Sequence, residues 1–439
     1  MCKGERLMNY NYLDSWHDAA LERTGGRGQV LADLFLTPPL GDNNKIVDLH
    51  SHDNSSDGRR SSRGSFQNAS FNNVDVFATT NHDNINTQVG YYNYSVDTAK
   101  YRGQYINGVE ITCRLNGLPV EVLVYDYDFK KAKGMIDKFE FPFLNRRFKI
   151  KRIVSLCEER LNTLNSLKIL DKPLDINDFI SLEIPKKDGE LDYIPFKKCG
   201  LDARQMGLCD LRDVKETVNI EGVEYKVNYD NFVSKLFKHI AVSEKGRAFL
   251  AENGVDVLEQ YVSKIDTSSL EMPDIHKEAF SKFNRFLVQA EGAPFYVSDA
   301  EWWPTVEDVV QFARASGGVA LLAHPYGYPN VKTDPEVLMQ MAVDAGVDGI
   351  ECMHGFNKAW QVEKIYQFCK KHSLMISAGS DTHTFVSNQG GKTEIGIIPG
   401  TGLDKNGEHD FIDGIVCSLY NVHFIGSGKY KEMQAQIEK

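Results

Sequence analysis

Residues 48–58, Asp-Leu-His-Ser-His-Asp-Asn-Ser-Ser-Asp-Gly, gather two imidazoles and several carboxylates in one short stretch. The apolar Ile46-Val47 leads in as a strand, and residues two apart in an extended chain point the same way. His50 and His52 therefore share a face. Asp57 follows five residues later, and Gly58 suits a turn. Two histidines and a carboxylate at the end of a buried strand suit a hydrolytic metal site. A lone His-x-His is weak, and its weight depends on whether such endings recur.

They do. Residues 74–80 read as a strand ending in Asn81-His82-Asp83-Asn84, and residues 104–109 as one ending at Glu110. Residues 119–125 form a third, with Glu121 inside it. A carboxylate in an apolar strand is costly to bury unless paired or metal-bound. Residues 319–323 run into His324-Pro325, residues 346–350 into Glu351, and residues 374–378 into Gly379-Ser380-Asp381-Thr382-His383. Helical spacing over 305–316, 334–345 and 357–371 separates the later strands. This alternation predicts a parallel α/β architecture. Seven apolar strands, each with a ligand-type residue near its C-terminal end, predict a barrel, whose chemistry gathers at that face. An open doubly wound sheet is the alternative. The collected residues are His50, His52, Asp57, His82, Glu110, Glu121, His324, Asp381 and His383. These nine N/O donors exceed the needs of one ion and suit two or three.

The elements that must position these residues sit in a chain of 439 residues, enough for one large domain or two ordinary ones. Hydrophobic content of 42% with 25% charged residues fits a soluble globular protein. The net charge of −11 argues against a general nucleic-acid surface. No G-x-G-x-x-G follows the first strand and no P-loop occurs, which weakens nucleotide-cofactor readings. No apolar run approaches the roughly 20 residues that span a bilayer, and the first residues lack the apolar core of a signal peptide. Eight cysteines without a C-x-x-C pair read as reduced thiols in a cytoplasmic protein, Cys199 and Cys209 being the nearest pair. The expected organisation is an extension over 1–44, a first barrel part over 45–129, a mostly helical insertion over 130–294, a second barrel part over 295–390 and a tail over 391–439. The insertion includes a hairpin-like piece near 218–225, and the tail carries strands near 395–398 and 422–425.

The motifs Asp48-Leu-His-Ser-His with Ser56-Asp57-Gly58, Thr80-Asn81-His82-Asp83, Gly108-Val-Glu110, Ala323-His324-Pro325 and Gly379-Ser-Asp381-Thr-His383 resemble those of the PHP (polymerase and histidinol phosphatase) family. Within it the chain looks most like the branch that dephosphorylates nucleoside bisphosphates and trims short RNA from the 5′ end. The resemblance covers about 45–130 and 295–385. It implies a distorted (β/α)7 barrel and three metal positions. His50, His52, Glu110 and Asp381 would hold the first, with Glu110 bridging to a second completed by Glu121 and His324. Asp57, His82 and His383 would hold the third. Glu121 stands where the family usually has His, and carboxylate favours harder ions. Two to three divalent ions are expected, manganese ahead of iron, zinc or magnesium. Asn81 replaces the usual Asp of its motif, a change expected to alter hydrogen bonding around the ligands.

The implied activity is hydrolysis of phosphate esters of nucleotides or short 5′-phosphorylated nucleic acid by a metal-bridged hydroxide. Asp381, His82 and His383 are the expected catalytic residues, either histidine protonating the leaving oxygen. Arg59, Arg60 and Arg63 follow the first motif and are candidates for the substrate phosphate. The basic run Arg146, Arg147, Lys149, Lys151 and Arg152 opens the insertion and is a lesser candidate for substrate contact. Glu351 is expected to support a ligand, whereas His354, Phe295, Trp302 and Trp303 read as packing. A small-metabolite phosphatase and a non-catalytic PHP module with a regulatory or assembly role are the competing readings.

Overall fold

The computed structural model describes residues 10–53, 56–85, 101–185, 191–195, 217–220, 223–228, 232–267, 272–298, 302–328, 331–355, 357–383, 394–398 and 412–437. Cys199 and Cys209 lie outside the described residues. In chain order the elements are α1 (Leu13–Thr24), α2 (Gln29–Phe35), β1 (Val47–Asp48), α3 (Ser62–Phe71), β2 (Val76–Phe77), β3 (Gln104–Tyr105), β4 (Gly108–Leu115), β5 (Leu118–Tyr125) and α4 (Phe129–Asp137). Then come α5 (Arg146–Leu167), β6 (Ser181–Pro185), β7 (Leu191–Pro195), β8 (Thr217–Ile220), β9 (Val223–Asn228), α6 (Phe232–Val242), α7 (Glu244–Glu252) and α8 (Lys277–Phe283). The chain continues with α9 (Val306–Ser316), β10 (Val319–Leu322), α10 (Pro335–Asp344), β11 (Gly349–Met353), α11 (Ala359–Lys371), β12 (Met375–Ala378), α12 (Leu419–Gly426) and α13 (Tyr430–Ile437). Two compact units result: Met1–Asn145 with Trp303–Lys439, and Arg146–Trp302.

The first unit is an α/β fold with two sheets. β1, β2 and β3 pair in parallel. The second sheet has the order β12-β11-β10-β5-β4; its first three strands are parallel and the β4–β5 hairpin antiparallel. Backbone contacts join the sheets at both edges. Leu49 N–H donates to Ala378 O at 3.0 Å and Asp381 N–H to His50 O at 2.7 Å, with a parallel bridge between Ser51 and Thr382. At the other edge His82 bridges Glu110, and Asp83 N–H donates to Glu110 O at 2.6 Å.

Local sequence explains the framework. Every residue of β10 is buried, as expected for a strand covered on both faces. Thr305 and Asp308 form a capping box that starts α9, and Gly317 ends it in the left-handed conformation. Trp16 buries its ring and donates from Nε1 to Leu374 O at 2.8 Å, so α1 packs directly into this core. The expected strand at 422–425 is instead part of α12. Its Ser418 cap accepts from Asn421 N, and the helix buries Leu419, Val422 and Ile425 at helical spacing. Residues 395–398 form a turn with an isolated bridge from Ile397 to Val416 where a strand was expected.

The second unit has its own core, including Leu161, Leu164, Phe179, Phe237, Phe283 and Phe295. It contains a four-stranded antiparallel sheet, β7-β6-β9-β8. The β8–β9 hairpin occupies the stretch that reads as hairpin-like in sequence; β6 and β7 are short strands ending in Pro185 and Pro195 and carry no strong alternation. Among the described residues no helix is long and apolar enough to cross a membrane.

Candidate metal centre

β1 delivers the first two imidazoles. Beyond Asp48 the chain stays extended along β12, burying both His50 and His52. β4 supplies Glu110 and β5 supplies Glu121. In the hairpin Thr112 pairs with Glu121, and Glu110 lies two residues before Thr112, so the two glutamates are diagonal neighbours on one face. His324 follows β10, and Asp381 follows β12. Asp381 has a left-handed backbone, φ 51°, held by its hydrogen bond to His50 O. Such a conformation is uncommon for a residue other than glycine and persists where surrounding structure over-determines it. Gly379 lets this turn close, since a Cβ there would collide with the backbone and Cβ of His50.

Four ligand-type atoms converge. His50 Nε2 lies 3.2 Å from Glu110 Oε2 and 3.4 Å from Asp381 Oδ1. His52 Nε2 lies 3.2 Å from each of the same two oxygens. Donors about 2.1 Å from a tetrahedral ion stand about 3.4 Å apart, so this spacing fits a divalent cation. Both ring nitrogens of His52 and Asp381 Oδ1 are cut off from solvent without ordinary hydrogen-bond geometry, which suits donors aimed at an ion. His50 Nδ1 meets Glu351 Oε1 at 2.9 Å, the carboxylate–histidine arrangement that fixes a ligand's tautomer and aim.

Glu110 serves a second group with its other oxygen. His324 Nε2 stands 3.2 Å from Glu110 Oε1 and 3.3 Å from Glu121 Oε2. A third group is more open: Asp57 Oδ2 lies 3.2 Å from His383 Nε2 and 3.5 Å from His82 Nε2. The side chains of Asp57, His82 and His383 are 53%, 26% and 29% exposed, whereas those of His50 and His52 are sealed. His82 also faces the buried groups, with Nδ1 3.4 Å from Glu110 Oε2. All nine residues singled out in sequence thus meet at one end of the sheets.

Electrostatics show an excess of carboxylate. Burial works against protonated imidazole, yet contacts with Glu110 and Glu121 raise His324 to about 10. Against the same opposition, Asp57, Glu110 and Glu121 raise His82 to about 9. Burial would raise Glu110 and Asp381, but the imidazoles, His50 foremost among the charges, hold both well below the ordinary carboxylate range. A pocket that binds protons this firmly favours a polyvalent cation in their place.

Over 107 residues the chain is 34% identical to a 3′,5′-nucleoside bisphosphate phosphatase of Chromobacterium violaceum. The match covers 24% of this chain and 36% of that protein, so the chain spans about a third of its relative's length. The chain is similar to this phosphatase over that stretch alone. No family model matches it. Among solved structures, an amidohydrolase from Chromobacterium violaceum with bound sulfate and no metal overlays with a TM-score of 0.44 at 18% identity, covering 80% of this chain and 90% of that one. A candidate metal-dependent phosphoesterase from Bifidobacterium adolescentis overlays at 0.41 and 19% identity, covering 77% and 87%.

Two features of this site were not legible beforehand. His354 is fully buried, with Nε2 3.2 Å from Asp381 Oδ2, on the oxygen opposite the convergent one. Its motif offers no ligand spacing; its position one residue beyond β11 is the only signal. The Asn81 departure is matched by Asp53. Asn81 Oδ1 accepts from Asp53 N–H at 2.9 Å and from Ser56 Oγ at 2.8 Å, and its Nδ2 donates to Asp53 Oδ1 at 3.0 Å. A carboxylate at 81 would face another carboxylate in a buried setting. The arginines separate: Arg59 and Arg63 are exposed, and Arg59 N–H donates to His383 O at 2.7 Å. Arg60 is 3% exposed, near Asp48 and Glu394. The run from Arg146 to Arg152 lies in α5 of the other unit.

Proposed function

We propose that the protein is a metal-dependent phosphoesterase acting on phosphate esters of nucleotides or of short 5′-phosphorylated nucleic acid. The observation that carries this is that His50 Nε2 and His52 Nε2 each stand 3.2–3.4 Å from both Glu110 Oε2 and Asp381 Oδ1, a spacing that suits ligands of a divalent ion. The nucleotide class comes from the bisphosphate phosphatase relative.

The first position takes His50, His52, Glu110 and Asp381; the second takes Glu110, Glu121 and His324; the third takes Asp57, His82 and His383. When bound, the ions activate water and neutralise charge on the phosphoryl oxygens. Glu351 fixes His50, and His354 holds Asp381 through the carboxylate's second oxygen. Arg59 and Arg63, exposed on the segment that docks on His383, orient the substrate phosphate. Arg60 anchors that segment through its buried surroundings. His82 and His383, the imidazoles on the open side, are placed to protonate the leaving oxygen. With two carboxylates and one imidazole, the second position favours manganese, magnesium or iron over zinc.

We also read the two sheets of the first unit as one distorted (β/α)7 barrel, with residues 146–302 inserted in it. The bridges Ser51–Thr382 and His82–Glu110 support closure. Only Ile106 and Asn107 separate β3 from β4, so those two count as one bent strand and the total is seven. The described cysteines are all free, in keeping with a cytoplasmic setting.

The test is metal analysis together with turnover of a panel of phosphate esters by manganese-loaded protein. Two or three ions per chain and hydrolysis of nucleoside bisphosphates or 5′-phosphorylated oligonucleotides are expected, with hydrolysis lost in Asp381→Ala. Hydrolysis confined to small metabolite phosphates would overturn the substrate class, and a chain that binds no metal would overturn the activity.

A further inference from the structure

Two aromatic rings lie on segments that follow the strand ends carrying candidate ligands. Tyr326 lies two residues after His324, in a turn closed by Gly327 N–H donating to His324 O at 2.6 Å. Trp360 lies in the first turn of α11, six residues beyond His354. Both loops leave the C-terminal ends of the parallel neighbours β10 and β11, the end at which His324, His354 and Asp381 gather. The rings meet edge to face, with centroids 5.7 Å apart and planes at 79°. Trp360 is 45% exposed. The Lys364 ammonium lies 5.6 Å from the Trp360 ring centre and is held 2.9 Å from Glu336. An indole held between Tyr326 and Lys364, with nearly half its surface open to solvent, can offer its remaining surface to a flat ligand.

We propose that Tyr326 and Trp360 form a stacking platform for the base of a nucleotide whose phosphate lies at the metal centre. The inference rests on the phosphoesterase reading above and names the subsite that would make it nucleotide-directed. Every base has a π-face, and stacking on an aromatic side chain contributes about 1–3 kcal/mol per base. The turn that aims the His324 ring also carries Tyr326, so phosphate and base sites are set by one loop. Phe295 is fully buried in the core of the other unit, in keeping with its reading as packing.

The test compares adenosine 3′,5′-bisphosphate with the same bisphosphate lacking the base, on manganese-loaded wild type, Trp360→Ala and Trp360→Phe. Trp360→Ala should raise KM for the base-bearing compound about tenfold more than for the abasic one, with Trp360→Phe restoring most of the difference. Binding is also read without turnover: adenosine 3′,5′-bisphosphate should quench wild-type tryptophan emission more than that of Trp360→Phe. If Trp360→Ala moves both KM values alike and the quenching is the same in both proteins, the platform falls while the phosphoesterase reading stands. If quenching depends on Trp360 but no bisphosphate is hydrolysed, the platform stands and that reading falls.

Discussion

Asn81 and Asp53 are a matched pair, and each residue explains the other. Placing a carboxylate at 81 sets two buried acids about as far apart as the present 3.0 Å amide–carboxylate bond. Asn81→Asp should destabilise the protein by roughly 2–4 kcal/mol in chemical denaturation. The double variant Asp53→Asn/Asn81→Asp exchanges donor and acceptor and should recover most of that loss, a coupling that a double-mutant cycle measures. Gly327 makes a second prediction. A Cβ there would sit 2.9 Å from His324 Nδ1, so Gly327→Ala should push the ring off its aim and lower manganese content by about one ion per chain. At this scale the sequence was informative wherever a ligand ends a strand in a motif. It took His354 for packing, because the contact with Asp381 depends on β11 lying beside β12, and it was silent on the partner of Asn81, which is supplied by a loop 28 residues earlier.

At the scale of elements, the strands with strong apolar runs were legible and the short ones were not. β10, β12 and α9 sit within a residue or two of the periodic pattern, because burial on both faces or a capping box leaves little choice. The stretch 422–425 was read as strand because four apolar-flanked residues carry no period of their own; the Ser418 cap and a groove on the core decide for helix. That helix buries His423, whose Nδ1 meets Tyr366 OH at 2.6 Å. Burial lowers its pKa to about 4. The unfolded chain takes up this proton near pH 6.5, the folded chain only near pH 4, so stability is present above about 6.5 and is lost as pH falls through that window. The excess stability of wild type over His423→Gln should therefore shrink between pH 6.5 and 4 by up to about 3 kcal/mol, read from denaturation midpoints across pH.

For the whole molecule, exposure grades the metal centre. The group of His50 and His52 is sealed, whereas Asp57 is half exposed and His82 and His383 are each about a quarter exposed. Chelator titration of the manganese-loaded protein should accordingly remove one ion readily and the rest slowly, with the first phase missing in Asp57→Asn. The expected insertion covers 130–294, whereas the second compact unit is Arg146–Trp302. The sequence did not show the second hairpin there, because five-residue strands bounded by proline give no usable alternation.

The donors that converge on the first ion come from His50 and from Asp381, more than three hundred residues downstream. A chain emerging from the ribosome carries its histidine pair early, but has no pocket for it until β12 has been made and has docked along His50. The whole of residues 146–302 must be synthesised in between. Metal capture is therefore a late event in the life of each molecule, and a nascent chain offers the cell's divalent cations only weak, mismatched pairs of ligands. Contacts so distant in sequence also slow the search for the native state, which leaves the insertion time to fold around its own core before the centre closes.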